Sequence, residues 1–110
     1  MEQDISREMQ ERIVKGFLDV AIMAKLMMDG NSLSGYDVLA FVHDKFGILL
    51  SSGTVYSVLY SMERNGLVKG MWSKKKRTYK LTGKGEKNIK TVITLIGEIQ
   101  GTVKVLVGSK

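Results

Sequence analysis

Apolar residues return along this chain with two different periods, and the change of period divides it. From about residue 6 to residue 29, Ile13, Phe17, Val20, Ala24 and Met27 alternate by four and three, with Met9 extending the stripe backwards. That spacing predicts one long amphipathic helix, stopped by the turn chemistry of Asp29-Gly30-Asn31-Ser32. A second helix is predicted from Ser34, a good N-cap, to Phe46, with Val38, Leu39, Val42 and Phe46 inward and Gly47 ending it. The third opens at SSGTVYSVL. Ser51 or Ser52 caps it, Val55, Val58, Leu59 and Met62 face inward, and Asn65-Gly66 closes it. Two helices joined by the short segment 47–50 form a helix-turn-helix-like unit.

The period then shortens. In LVKGMWSKKKRTYKLT, Leu67, Trp72, Thr78, Tyr79 and Leu81 are strand-type residues around a polar tip, which predicts a β-hairpin. Thr82 caps a last helix running to about Val107. Along it Ile89, Val92, Ile96, Ile99, Val103 and Leu106 step by 3, 4, 3, 4 and 3, a heptad seam. A terminal helix this apolar has little left to cover it within a small domain, so it is expected to pair with a second copy of the chain. The competing expectation folds it back onto the first helix. Gly97 and Gly101 fall off the seam and read as weak points or as close approaches to the first helix, not as a membrane dimer motif.

Charge sharpens this picture. The net charge is +6, yet residues 66–90 alone carry nine Lys/Arg against one acid, Glu86. A basic cluster confined to one segment is an electrostatic footprint for a polyanion, or else a solvated surface. The 110 residues amount to one domain with 44% hydrophobic content. A core of that size has little margin, and association would add to it. Cysteine is absent, which excludes disulfides and thiolate-held metal. The polar start MEQDISREMQER is wrong for a secretory signal, and the apolar stretch 91–107 is interrupted by Glu98 and Lys104. A cytoplasmic protein without a membrane span is expected.

Helix, helix, helix, basic hairpin, helix is the order of a winged helix followed by a dimerisation helix. The expected class is mainly α with a small β-hairpin: residues 1–82 as the winged helix-turn-helix, residues 83–110 as the dimerisation helix. Within that order stand Gly35-Tyr36-Asp37-Val38-Leu39, Gly53-Thr54-Val55-Tyr56, Leu59, Met62-Glu63, Gly66-Leu67-Val68, Tyr79-Lys80-Leu81-Thr82 and Lys84-Gly85. In these pieces, taken together, the chain resembles the PadR-like transcriptional regulators. The resemblance covers roughly residues 17–88. It implies a homodimeric DNA-binding regulator, often a repressor, with the third helix in the major groove, the wing on the backbone or minor groove, and C-terminal helices holding the dimer. The chain departs from the family in having Ser52 where proline is usual and Tyr60-Ser61 where a basic pair is common. Gly83 stands where an acid often follows the Leu-Thr pair.

Double-stranded DNA is therefore the expected partner. Ser51 and Ser52 at the helix start, with Thr54, suit phosphate contact, because backbone N–H groups and the helix dipole point the same way. Ser57 and Ser61 can bond base edges, though single hydroxyls discriminate weakly. Tyr60 and Arg64 complete the outward face, and Tyr56 is either a backbone contact or a packing residue against the wing. Lys74, Lys75, Lys76 and Arg77 are expected to grip phosphates from the hairpin tip, with Arg77 able to enter a narrow minor groove. Lys69, Lys80, Lys84 and Lys87 extend that track. Dimerisation is assigned to Met9, Ile13, Ile89, Val92, Ile96, Ile99, Val103 and Leu106.

Other chemistry finds less support. Phe17 with Met23, Met27 and Met28 could line an apolar effector pocket, but their spacing favours core packing. Trp72 could stack on a ligand or base, but a contact in the core of the wing strands is favoured. His43, the only histidine, lies beside Asp44 on a polar face, and no phosphate loop, nucleophile elbow or carboxylate pair appears. No enzyme activity, metal or cofactor is expected. The rival reading is a winged-helix interaction module that binds an acidic protein partner, kept open by the uncharged third helix.

Overall fold

The computed structural model describes residues 2–108. Its elements run α1 (Glu2–Gly16), α2 (Leu18–Asp29), β1 (Leu33–Ser34), α3 (Gly35–Phe46), α4 (Ser52–Arg64), β2 (Val68–Ser73), β3 (Lys76–Leu81), α5 (Gly83–Thr94) and α6 (Ile96–Leu106). The molecule is mostly helical, with one antiparallel sheet in the order β1-β3-β2. It is a winged helix.

The long first helix is bent. Phe17 leaves helical geometry at φ −115°, ψ 24°. The hydrogen-bond ladder still runs through it, from Phe17 N–H to the Ile13 carbonyl and from Ala21 N–H to the Phe17 carbonyl, both at 2.9 Å. The last helix bends in the same way at Leu95, φ −98°, ψ 6°. There the Thr91 and Thr94 hydroxyls donate back to the carbonyls of Lys87 and Thr91, at 2.9 and 2.7 Å. Such back-bonding competes with the ladder and bends helices.

The helix starts follow the capping rules. Ser34 and Asp37 form a reciprocal capping box at the head of α3: Asp37 N–H donates to Ser34 Oγ at 3.1 Å, and Ser34 N–H to the Asp37 carboxylate at 2.9 Å. The second bond, to the backbone of Ser34, holds the Asp37 carboxyl below its ordinary range. Thr82 accepts from Gly85 N–H and donates to the Gly66 and Leu67 carbonyls, tying the start of α5 to the end of α4. A methyl group at Gly85 would run into the Leu67 carbonyl, which is why α5 can cross there only on glycine.

One core unites these elements. Leu18, Ile22, Met23 and Leu26 of α2 meet Val38 and Val42 of α3, Val55, Leu59 and Met62 of α4, and Val68 and Tyr79 of the sheet. Ile89 of α5 closes it, fully buried. The seam residues of the last helix thus have two fates. Ile89 is spent inside its own chain and Val92 packs against the same core, which corrects their expected availability to a partner. Ile96, Val103 and Leu106 are exposed, and α6 buries no residue at all. The radius of gyration is 15.2 Å, against about 13 Å for a compact chain of this length.

The hairpin is also more than two strands. β1 adds to it through Leu33↔Tyr79 and Ser34↔Thr78, so α3 starts directly from the sheet edge.

Candidate nucleic-acid interface

α4 is held rigidly from beneath. Val55 and Leu59 are fully sealed from solvent, and Ser51 is the cap: Thr54 N–H donates to Ser51 Oγ at 3.1 Å. The Ser51 and Thr54 hydroxyls share a further bond of 2.8 Å, so each is already engaged in holding the helix start. Ser52, Gly53, Ser57, Tyr60 and Arg64 face solvent, with Ser61 half-buried beside them. The candidate readers divide between two flanks. Ser57 and Ser61 open on a hollow of about 340 Å³ shared with Lys15 and Asp19. Tyr56 and Tyr60 open on the wing side, in a groove with Tyr36, Trp72, Lys75 and Lys76. Tyr56 itself packs over Gly35 at the head of α3, where a methyl group would lie 2.6 Å from the Tyr56 Cζ.

The wing pairs β2 with β3 from Val68↔Leu81 to Ser73↔Lys76, leaving a two-residue turn at Lys74-Lys75. Both lysines have positive φ, 49° and 66°, and they are the only non-glycine residues among those described that do. A turn of this hand normally takes Asn-Gly, and each L side chain in it costs about 1–2 kcal/mol. Lys74, Lys75 and Lys76 are exposed and form no ion pair among the described residues.

Arg77 corrects the expectation placed on it. Its guanidinium does not extend from the tip but folds back to α4, where Nη2 donates to Glu63 Oε1 and Oε2 at 2.9 and 2.7 Å. Glu63 also accepts from Gly70 N–H at 3.1 Å, and a side chain at Gly70 would collide with this pair. The bond to Arg77 holds the Glu63 carboxyl below its ordinary range and raises the Arg77 guanidinium in turn. Arg77 lies 5.6 Å from the ring centre of Tyr79, whose hydroxyl is buried without a hydrogen-bond partner among the described residues. Burial pushes that phenol up. Arg77 therefore fastens the wing to α4.

Trp72 is corrected as well. It lies 70% exposed on the wing, not in a wing core. The accessory track is thinner than its lysine count. Of its four lysines, Lys84 donates to the Asn65 carbonyl at 2.8 Å, while Lys69, Lys80 and Lys87 stay exposed.

A second surface is apolar. Ile5, Met9 and Ile13 of α1 and Phe17 at its junction with α2 are exposed, beside a hollow of about 510 Å³ completed by Val14, Val20 and Phe46. Of the methionines proposed for an effector pocket, Met23 is core and Met28 is 80% exposed, so they do not line a common cavity.

The profile of the transcriptional regulator PadR-like family matches residues 25–91, more than half of the chain. The chain belongs to the PadR-like transcriptional regulators. It is a regulator built on a DNA-binding winged helix. A PadR family regulator from Eggerthella lenta superposes with a TM-score of 0.76 at 20% identity, over 99% of this chain and 97% of that one. One from Clostridium difficile gives 0.69 at 22%, over 84% and 99%. Bacillus subtilis PadR in complex with operator DNA gives 0.58 at 23%, over 69% of this chain and 47% of its own. At such identities the likeness to each is one of fold. No curated relative matches the chain. Among the described residues no helix is long and apolar enough to cross a membrane, and no three potential ligands gather to hold a metal.

Proposed function

We propose that this PadR-like chain is a sequence-specific repressor that binds duplex DNA as a homodimer, α4 reading and the wing gripping. The observation that carries this reading is the turn at Lys74-Lys75. Two lysines occupy left-handed backbone that glycine or asparagine would hold at less cost, and they place unpaired charge at the outermost point of the wing. Strain kept at an exposed tip points to use of that tip. α4 brings Ser57 and Ser61 to the flank it shares with Lys15 and Asp19, where their hydroxyls can bond base edges. The operator-bound state of Bacillus subtilis PadR adds support by analogy.

The dimer follows from the two apolar surfaces. α6 offers Ile96, Val103 and Leu106 to solvent, and α1 with its junction to α2 offers Ile5, Met9, Ile13 and Phe17 beside the hollow. In a two-fold arrangement the α6 of one copy covers the α1 of the other, each patch meeting its complement twice. Neither the fold nor the family supports the acidic-protein module. Fluorescence anisotropy with duplex DNA from upstream of the coding region, titrated over salt, tests the reading. Sequence-dependent, salt-steep binding is expected; equal binding to any duplex would overturn it.

A further inference from the structure

The wing-side groove is poorly matched to duplex DNA alone. Tyr36, Tyr56, Tyr60 and Trp72 line a trough of about 380 Å³ with Ser34, Lys75, Lys76 and Arg77. Tyr36 and Trp72 are 71% and 70% exposed, and Tyr60 is 47% exposed. A duplex presents phosphates and base edges; its base faces are hidden in the stack. Aromatic faces gain little from edges, but an unpaired base stacks on them whatever its identity, for about 1–3 kcal/mol per base.

The rings are also held in place. Trp72 stands opposite Arg77 in the strand register, with the guanidinium 5.9 Å from its ring centre, and Arg77 is fixed in turn by Glu63. Tyr56 and Tyr60 lean together at 5.9 Å between ring centres, one turn apart on α4. Lys75 and Lys76 stand at the mouth of the trough without an ion pair among the described residues. Stacking platforms beside free cations are what a single strand requires: the bases find faces and the backbone finds charge.

We infer that this groove binds the unpaired bases of single-stranded DNA, as a second binding mode beside duplex recognition. The inference rests on the reading of this face as a nucleic-acid interface. Tyr60 belongs both to the groove and to the outward face of α4, so the two modes compete for one surface. Preference among bases is weak, because every base has a stacking face.

The sequence contains a single tryptophan, Trp72, so intrinsic tryptophan emission reports the groove and nothing else. An oligothymidylate of about ten nucleotides, within the usual site sizes of single-strand binders, is titrated at low salt against the full chain, in parallel with a labelled duplex. Saturable quenching of Trp72 is expected. Tyr36→Ala should weaken oligothymidylate binding about tenfold more than duplex binding, in line with the loss of one stacked base. Tyr36 is mostly exposed, and circular dichroism checks that the variant folds. Absence of quenching while the duplex binds normally would overturn the single-strand site and leave the duplex reading intact. Equal loss for both ligands in Tyr36→Ala would also overturn it. If neither DNA binds, the interface reading itself fails.

Discussion

Replacing Lys74-Lys75 with Asn-Gly (Lys74→Asn, Lys75→Gly) should make the protein more stable and worse at binding DNA. Both lysines sit at positive φ; glycine at position 75 removes one left-handed L residue, worth about 1–2 kcal/mol, and asparagine at 74 holds that backbone at less cost than lysine, part of the gain being returned through the greater unfolded-state freedom of glycine. A net gain of about 1 kcal/mol raises Tm by about 4–8 °C in a domain of this size. The binding loss follows from charge. Each wing loses two phosphate contacts and a dimer loses four, so the slope of log affinity against log salt becomes shallower by about 3.6. Thermal melts followed by circular dichroism and anisotropy titrations between about 50 and 200 mM salt read both quantities. A fall in Tm would refute the strain argument. A rise in Tm with an unchanged salt slope would refute the assignment of the tip to phosphate.

Other perturbations separate the remaining parts of the account. Val103→Asp on α6 should convert the proposed dimer to a monomer in sedimentation equilibrium without altering the circular dichroism spectrum, because Val103 is exposed and α6 has no fully buried residue in its own chain. Gly85→Ala forces a methyl group into the Leu67 carbonyl and should cost about 1–3 kcal/mol in denaturant titration. Acid should loosen the fold in a defined window. Asp37 and Glu63 are held below their ordinary values of 3.8 and 4.5. Their stabilisation is complete above those values and is lost as pH falls through the lower folded ones. Melting temperature measured from pH 6 down to pH 3 should drop less steeply in the Asp37→Asn, Glu63→Gln double variant than in the parent. Arg77→Ala should weaken duplex binding with little change in salt slope, since it removes a wing fastening and no phosphate contact.

Much of this fold is legible in the residues because short-range rules set it. Ser34 and Thr82 cap the helices they were expected to cap, Ser51 is the capping member of the pair Ser51 and Ser52, and the two-period pattern locates the wing. The heptad seam shows the limit of pattern. Spacing says which residues share a helix face, not what covers that face: Ile89 closes its own core while Ile96 and Val103 on the same seam stay exposed. The bends at Phe17 and Leu95 are equally silent, since the apolar spacing continues across both. The face of α4 was readable from its own inner stripe. Its division into a serine flank and a tyrosine flank was not, because that depends on where the wing and α1 lie. The Arg77–Glu63 pair spans fourteen positions between two elements. A two-residue tip would have set Trp72 opposite Arg77, but nothing local brings a carboxylate from α4 to meet them.

The account stands most directly on the stoichiometry and sequence dependence of duplex binding. Analytical ultracentrifugation of the full chain with a labelled duplex from upstream of its coding region measures both, when repeated with a scrambled duplex of equal length. The account predicts two chains per palindromic site, with the scrambled duplex bound about a thousandfold or more weakly at moderate salt. One chain per duplex, or equal affinity for the scrambled sequence, would contradict it.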